Sequence, residues 1–387
     1  MKRLRMVGVV MFVVALIAGC GGGGSGNTPV VTPPAPAPAP TPWLTAANAD
    51  VRSMVKGADG FLYVAYANGG DAYLCRFDAN GDKVPISDKA DITVSATDRN
   101  EYPKGIAVFG GNAYVVVMQE YPGTVGSGVA YLEKVTLSTG QVKEDIIMLA
   151  GKLTGFATDG VGAIYIAYNF NGQHGEFNSA VVGVNAADAT VLFQQGWANS
   201  PRISAVAVDS TFIYMGGTVT NDTGGQARMY VMKESRTTQA FQWESQIGAV
   251  TSTPDDDTLY PGSFVLDPAN DALYFSGVLG YVTSAPRGVI ARIKASSSDG
   301  SFDWGYSTPN SMDYAFARLA VDGGDLYGYS YGMDSIIRMD PVTPSTRLWK
   351  ATQALLPNCF IAADGIVYVP APTGKIIRIA KETGVSM

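Results

Sequence analysis

The sequence predicts an all-β fold built from seven copies of one unit. Gly (45 residues) and Pro (21 residues) are too frequent among the 387 residues for long helices, and a hydrophobic fraction of 47% suffices for a large core. A segment with a central tyrosine recurs, and successive tyrosines are 51, 51, 49, 60, 53 and 41 residues apart. The seven are Tyr63, Tyr114, Tyr165, Tyr214, Tyr274, Tyr327 and Tyr368. A period of about 50 residues without a helical pattern predicts one supersecondary unit per repeat.

Residues 1–20 precede the repeats and have the pattern of a secretory signal. Basic residues lead into an apolar run from Met6 to Ile17, which is too short to span a bilayer, and small residues follow. The ending, residues 16–20, resembles the bacterial lipobox, which implies cleavage before Cys20 and acylation of that cysteine. The alternative is an ordinary signal peptide. Gly21 in place of Asp implies, by the enterobacterial sorting rule, an outer-membrane anchor on the periplasmic or cell-surface side.

Residues 21–42 connect this leader to the repeats. They contain no aromatic or charged residue and almost nothing to bury, so they cannot offset the entropy of ordering. We expect a flexible Gly/Ser half and a Pro/Ala half in polyproline II conformation. This tether holds the globular body away from the lipid surface.

Each unit has the pattern of four antiparallel strands. An apolar run ends at a turn, usually with Asp, and the tyrosine-bearing strand follows, rich in β-branched and aromatic residues. A third strand, such as residues 72–77, closes at a hairpin turn, and a more polar fourth strand follows. Several units have a Trp on the fourth strand: Trp197, Trp243, Trp304 and Trp349. Such units repeated radially predict a seven-bladed β-propeller over residues 43–387.

The number of strands predicts how the ring closes. The last unit, from about Asn358 to Met387, has room for three strands, and residues 43–52 precede the first complete unit. Because open sheet edges promote aggregation, we expect residues 43–48 to supply the outermost strand of the final blade.

Two stretches resemble the repeat of quinoprotein-like (PQQ-like) β-propellers. Residues 291–304 and 337–349 have the order of third strand, turn, fourth strand and Trp, and degenerate copies extend over most of residues 43–387. The resemblance implies the propeller fold, with an incomplete tryptophan girdle because the first two units and the last lack the Trp. Quinone-dependent relatives use adjacent cysteines and often a Cys-x-x-Cys-His haem site. The chain has neither motif, so we expect no cofactor.

The charge balance excludes one class of partner. Lys plus Arg is 27 against 34 Asp plus Glu, and loss of Lys2, Arg3 and Arg5 with the leader leaves 24 bases and a net charge of −10. An acidic body gains no counterion-release energy from phosphate backbones, so we expect no nucleic-acid partner. We expect membrane contact through the lipid anchor only, and a monomer.

Loop lengths predict which face of the disc binds a partner. Loops between strands one and two, and between three and four, share one face and are predicted to be short. The other face, called the long-loop face, carries residues 118–130, 169–180, 218–228 and 278–288 between strands, and 86–104 and 244–262 between blades. Long loops on one face of a rigid scaffold are typical of binding sites. We expect a protein or glycan to bind there.

The candidate binding residues fall into two groups. Tyrosines, which offer flat contact planes, and polar residues, which offer adaptable hydrogen bonds, populate the long-loop face. They are Tyr102, Tyr121, Asn169, Asn171, His174, Asn221, Asp222, Tyr260 and Tyr281. The alternative is that they are ordinary turn formers. Lys104, Arg202 and Arg318 lie near the inner-strand entrances and predict either a basic channel mouth for a small anion or ion pairs with neighbouring blades.

The remaining chemistry does not predict catalysis or a metal site. His174 is the only histidine, which excludes a multi-histidine centre, and no Gly-x-Ser-x-Gly elbow is present. Residues 78–89 begin like a calcium loop but have Lys at the sixth and twelfth positions. Cys75 and Cys359 are interpreted as buried small residues, with a disulfide as the alternative. We expect a non-catalytic binding or scaffold module. The alternative is a lactonase-, lyase- or cyclotransferase-like propeller enzyme using acidic and amide residues at the channel mouth.

Overall fold

A computed structural model describes residues 43–95, 100–120, 128–171, 177–198, 201–220, 227–247, 258–279, 287–307, 316–330, 333–343, 346–352 and 359–387. These residues form seven four-stranded antiparallel sheets and two short 3-10 turns, Pro268–Asn270 and Pro372–Gly374. The predicted all-β, seven-bladed propeller is therefore confirmed. The leader, Cys20 and the tether lie outside the described residues.

The first strand, β1 (Trp43–Leu44), precedes the blades. Blade 1 contains β2 (Asp50–Lys56), β3 (Leu62–Asn68), β4 (Asp71–Phe77) and β5 (Ile92–Ser95). Blade 2 contains β6 (Glu101–Phe109), β7 (Asn112–Glu120), β8 (Gly128–Thr136) and β9 (Gln141–Ala150). Blade 3 contains β10 (Lys152–Thr158), β11 (Ala163–Asn171), β12 (Phe177–Asn185) and β13 (Val191–Ala198). Blade 4 contains β14 (Arg202–Val208), β15 (Phe212–Thr220), β16 (Ala227–Ser235) and β17 (Phe241–Ile247).

The remaining blades follow the same order. Blade 5 contains β18 (Thr258–Asp267), β19 (Ala272–Leu279), β20 (Arg287–Lys294) and β21 (Phe302–Ser307). Blade 6 contains β22 (Phe316–Asp322), β23 (Asp325–Ser330), β24 (Ser335–Met339) and β25 (Arg347–Ala351). Blade 7 contains β26 (Ile361–Ala363), β27 (Ile366–Ala371) and β28 (Lys375–Ala380), and β1 is its fourth strand.

The core is divided into seven apolar clusters, one between each pair of neighbouring blades. The cluster between blades 7 and 1 contains both Cys75 and Cys359, which are buried free thiols. Burial raises the pKa of the Cys359 thiol to about 12, so it is protonated at neutral pH. The interpretation of these cysteines as small core residues agrees with this packing.

Ring closure joins the two ends of the described chain. In β1, Trp43 pairs with Ile376 and Leu44 with Lys375, and the Thr45 amide donates to the Gly374 carbonyl at 2.9 Å. The strand is therefore two residues long and shorter than the expected segment 43–48. Trp43 is only 4% exposed and lies 5.6 Å from the Tyr368 ring, centroid to centroid. The closing strand has only two paired residues, and the buried Trp43 indole adds side-chain packing to this closure.

A fourth-strand tryptophan docks on the next blade at three positions. In each case the indole packs on a positive-φ glycine in the turn that follows the third strand of that blade, where a Cβ would overlap the indole. The pairs are Trp43 with Gly81, Trp243 with Gly300, and Trp349 with Gly384. The prediction that the last unit lacks a docking tryptophan is wrong, because β1 supplies Trp43 to the last blade. In blade 3 the position of the docking tryptophan holds Phe193, which packs on Tyr165, and the predicted Trp197 lies four residues further along the strand.

The seven repeat tyrosines are all buried and share one register. In six blades a Lys or Arg of the third strand is paired directly opposite the tyrosine: Arg76, Lys134, Lys233, Arg292, Arg338 and Arg378. These six are called the rim cations. In blade 3 the position holds Gly183, and a Cβ there would meet the Tyr165 ring at 2.5 Å.

Blade 4 supplies the cation that blade 3 lacks. The Arg236 guanidinium lies 5.2 Å from the Tyr165 ring centroid, and its Nε donates to the Tyr165 hydroxyl at 2.7 Å. A second nitrogen, Nη2, pairs with the Asp159 carboxylate at 2.6 Å. Hydrogen bonds to Asp159 and Tyr165 outweigh the effect of burial and raise the pKa of Arg236. The third-to-fourth-strand turn of one blade thus braces the blade before it.

The loop boundaries differ from the predicted ones in three places. The turn between β4 and β5 is long, because residues 78–91 form it, and it contains bridges from Phe77 to Lys83 and from Ile86 to Lys89. That face is therefore not uniformly short. The inter-blade segments shrink to residues 96–100 and 248–257, because β5, β6, β17 and β18 extend into the predicted loops. Strands also enter the four predicted hairpin loops, as far as Glu120 and Gly128, Asn171 and Phe177, Thr220 and Ala227, and Leu279 and Arg287; the residues between these pairs lie outside the described part of the chain.

Candidate functional site

A bulge at one position in the inner strand recurs around the axis. In five of the seven blades, the pairing of the inner strand with the second strand skips one residue. The skipped residues are Arg52, Lys104, Thr154, Ser204 and Ala317. A bulge redirects the side chains beside it, and in four of these blades the skipped residue is polar.

The inner strands enclose an axial channel of about 670 Å³ to which all seven blades contribute. Its basic lining residues are Arg52, Lys104, Lys152 and Arg318. No Asp or Glu is among the described residues that line it. In a chain with seven more acidic than basic residues, this is a local reversal of charge. Such a concentration of one sign attracts ligands of the opposite sign.

Close packing sets the width of the channel between blades 2, 3 and 4. A Cβ on Gly105 would overlap the Phe156 ring, and one on Gly155 would lie 3.1 Å from the Ala205 Cα. The Thr154 hydroxyl donates to the Ile203 carbonyl at 2.8 Å, which ties the inner strands of blades 3 and 4 together. Small residues at Gly105, Gly155 and Ala205 therefore allow the inner strands to approach each other closely.

Arg52 and Lys104 flank one aromatic ring. The Arg52 guanidinium carbon is 5.3 Å and the Lys104 Nζ is 4.8 Å from the Tyr102 ring centroid. Arg52 also forms an ion pair with Asp50, in which its Nε donates at 2.7 Å. Part of the positive charge of blade 1 is therefore balanced within its own strand.

Arg318 is positioned differently. Its side chain makes no hydrogen bond, ion pair or ring contact with any residue that the structure describes, although it retains some accessible surface toward the channel. Burial among the inner strands lowers the pKa of its guanidinium. The backbone before it is fixed, because the Phe316 amide donates to the Ser276 hydroxyl at 2.9 Å. The structure thus holds an unpaired guanidinium beside the axis.

Lys152 and Asn169 lie at the end of the channel on the long-loop face. They are paired residues of β10 and β11 and both line the channel. Lys152 is exposed and has no ion pair among the described residues. The Asn169 side-chain oxygen accepts from the Ser179 hydroxyl at 2.5 Å, so its orientation is set from the next strand.

The predicted site residues are therefore only partly brought together. Lys104, Asn169 and Arg318 line the channel, with Tyr102 beside Lys104. Arg202 is half-buried on β14 and is not among the lining residues. The side chains of Asn171 and Tyr260 lie outside the description, although both residues belong to strands. Wholly outside the described residues lie Tyr121, His174, Asn221, Asp222 and Tyr281.

Two channel cations, Arg52 and Lys152, were not predicted. A signal for the first exists, because Arg52, Lys104 and Thr154 precede their repeat tyrosines by eleven, ten and eleven residues. The connection between the first and second strands is one residue shorter in blade 2 than in blades 1 and 3, and this difference in spacing hides the alignment. Lys152 gives no such signal, because it opens β10 and is brought to the channel by the blade as a whole.

No three His, Cys, Asp or Glu side chains come together as a metal site within the described part of the chain. The described residues include no helix that is long and apolar enough to cross a membrane.

Similarity to known proteins is confined to structure. The chain matches no protein-family model, and its sequence matches none of the curated proteins. It is similar to Sqt1 of Saccharomyces cerevisiae, with a TM-score of 0.52 and 10% identity, over 88% of this chain and 85% of that one. The β-propeller domain of the Trilobed protease from Pyrococcus furiosus gives a TM-score of 0.50 and 11% identity, over 86% and 93%. BamB from Moraxella catarrhalis gives 0.49 and 11%, over 89% and 90%.

The likenesses to Sqt1 and to the Pyrococcus domain show the fold. The Pyrococcus domain has an open velcro topology, whereas β1 pairs with β28 in this chain. At 10–11% identity the ligands of these proteins are not transferred to this one.

Proposed function

We propose that this protein is a non-catalytic binding or scaffold propeller, held at the outer membrane by a lipid on Cys20, that binds a protein or glycan on its long-loop face. The lipobox, the tether and the quinoprotein-like repeat support the anchored propeller. The observation that carries the binding role is the unequal height of the blades on this face.

Blades 1 to 5 form a crescent of tall hairpins around the channel mouth. Their hairpins between the second and third strands stay paired five or six residues beyond the repeat tyrosine, as far as Asn68–Asp71, Glu120–Gly128, Asn171–Phe177, Thr220–Ala227 and Leu279–Arg287. The hairpins of blades 6 and 7 end at Ser330–Ser335 and Ala371–Lys375, three residues after the repeat tyrosine. A wall on one side of the channel and a low rim on the other give a partner a defined docking direction.

The channel lining favours binding over the enzymatic alternative. Lactonase-, lyase- or cyclotransferase-like chemistry by acidic residues needs carboxylates converging at the axis. The described lining holds four cations and Asn169 instead. This composition suits recognition of a negatively charged group.

The experiment is a crosslinked pull-down from intact cells. In one variant Asn-Gly turns replace residues 121–127 and 172–176, which shortens the crescent at blades 2 and 3. The control variant is Val161→Ser with Val342→Ser, two exposed residues in turns of the opposite face. We expect the shortened variant to lose partners that the wild-type and the control retain. Recovery of the same partners by all three proteins would refute the face assignment.

A further inference from the structure

We propose that the axial channel is a binding site for a small oxyanion with two or more negative charges, a phosphate or a compact polycarboxylate, and that Arg318 is its principal contact. This inference concerns the channel alone and does not depend on which macromolecule the long-loop face binds.

Arg318 is an exception among the arginines whose side chains the structure describes. Eight others of the described chain each have a hydrogen bond, an ion pair or a ring contact within the protein: Arg52, Arg76, Arg228, Arg236, Arg292, Arg338, Arg347 and Arg378. Arg318 has none, although it lies where burial disfavours its charge. A guanidinium stays protonated, so the unfavourable desolvation persists until an anion arrives.

Cations from four separate blades converge on the axial channel. Arg52, Lys104, Lys152 and Arg318 come from blades 1, 2, 3 and 6 and line one cavity. These like charges repel each other, and the packing of the blades into a ring holds them close together. Asp50 balances Arg52, whereas Arg318 and Lys152 have no ion pair among the described residues. At least two cations therefore remain for a ligand, which favours a multivalent anion.

The size and the lining of the channel suit a small anion. A cavity of about 670 Å³ fits a small molecule and is too narrow for a folded partner. The planar guanidinium fork matches two oxygens of a phosphate or carboxylate, and Lys152 adds a point charge at the mouth. Ser53, Thr154 and Asn169 add polar groups to the lining. Together these side chains would hold a compact oxyanion on the axis.

The test is titration of the full chain, purified in detergent, with inorganic phosphate and with citrate, followed by calorimetry and by thermal unfolding at constant ionic strength. We expect at least one of the two anions to bind and to raise the melting temperature in proportion to the logarithm of its concentration. Tighter binding of phosphate identifies a phosphoryl ligand, and tighter binding of citrate identifies a polycarboxylate.

The variants locate the binding. Arg318→Gln is expected to weaken affinity at least about tenfold, because a charge-assisted hydrogen bond is lost, and Lys152→Gln a few-fold. Lys350→Gln removes the same charge from an exposed position on β25 and should leave affinity unchanged. Arg318→Lys keeps the charge but loses the fork, so it should weaken binding by an intermediate factor and serves if the Gln variant does not fold.

Two results would overturn the proposal. One is the absence of binding beyond that of chloride at the same ionic strength for both anions. The other is equal affinity in wild-type, Arg318→Gln and Lys350→Gln proteins. Neither result bears on the pull-down, so failure of the channel site and failure of the long-loop face are distinguishable.

Discussion

The rim cations and the channel cations are the same residue types in two different surroundings. At the rim, each Lys or Arg lies opposite a buried tyrosine and finds a partner close by. Arg338 pairs with Asp325 at 2.9 Å, Arg292 with Asp303 at 3.1 Å, and Arg378 lies 4.8 Å above the Trp43 ring. In the channel, Arg318 has neither a carboxylate nor a ring among the described residues.

This difference separates scaffold from function. Each rim cation has a partner that the repeat itself supplies. In blade 3, which lacks a rim cation, Arg236 of blade 4 takes that place and contacts Asp159 and Tyr165. A cation that stays unpaired in the same repeat is unfavourable for folding alone. The anion proposed for the channel would supply the missing partner of Arg318.

The largest expected effect comes from removing an aromatic partner at the rim. Trp43→Ala deletes the ring under Arg378, the contact with Gly81 and the buried part of the closing strand. We expect the free energy of unfolding to fall by about 4 kcal/mol, measured by urea denaturation. Trp197→Ala, at a half-buried tryptophan without this docking role, should cost less than half as much. Equal losses would show that ring closure has no special contribution.

A smaller loss of stability is expected at Arg236, which takes the place of the rim cation that blade 3 lacks. Arg236→Ala leaves the Asp159 carboxylate and the Tyr165 hydroxyl without their donor, and both side chains of the ion pair are mostly buried. We expect a loss of about 3 kcal/mol in thermal or urea unfolding. Arg347→Ala, an exposed arginine on β25, is the control and should change stability by less than about 0.5 kcal/mol. A small loss at Arg236 would contradict the bracing of blade 3 by blade 4.

The smallest expected effect is a gain in stability at Glu234, a buried carboxyl next to the rim cation Lys233. Glu234, beside Lys233, is 4% exposed, its Oε2 has no hydrogen-bond partner, and burial raises the pKa of its carboxyl. Because the folded state holds the proton more tightly than the unfolded state, this carboxyl destabilises the fold at neutral pH and ceases to do so in acid. Glu234→Gln should therefore raise stability by about 1 kcal/mol at pH 7.

The pH dependence checks the cause of that gain. The difference between Glu234→Gln and wild-type should be full above the folded-state pKa of Glu234 and should vanish below about pH 4.3, the ordinary value. Glu244→Gln is the matched control, because Glu244 is exposed on the next strand and accepts a hydrogen bond from Tyr230 at 3.0 Å. A gain that persists unchanged in acid would exclude ionisation as its origin.

Local pattern was sufficient to predict the blades. The repeat tyrosines mark the second strand because each must fill the same buried position, and the count of strands predicted that the last blade needs a fourth strand from elsewhere. Blade 3 was harder, since Phe193 replaces the docking tryptophan and Trp197 stands nearby in the sequence. Chemical identity alone does not show which of two aromatic residues faces the tyrosine.

The candidate site was only partly predictable, because it depends on assembly of the ring. Lys104 and Arg318 were recognised as residues near the axis, but spacing along the chain does not show that Lys104 lies over the Tyr102 ring and that Arg318 has no partner among the described residues. Arg52 and Lys104 occupy the same bulge, although their distances from the repeat tyrosine differ by one residue, and Arg236 serves a blade to which it does not belong. Such relations are set by three-dimensional packing rather than by spacing along the chain.

The pairing of Trp43 with Ile376 also determines when this protein finishes folding. These partners are separated by nearly the whole repeat region, so the last blade stays incomplete until the ribosome has made almost the entire chain. A prematurely terminated product would leave an indole uncovered and a strand unpaired, both of which favour aggregation. Only a full-length polypeptide conceals them.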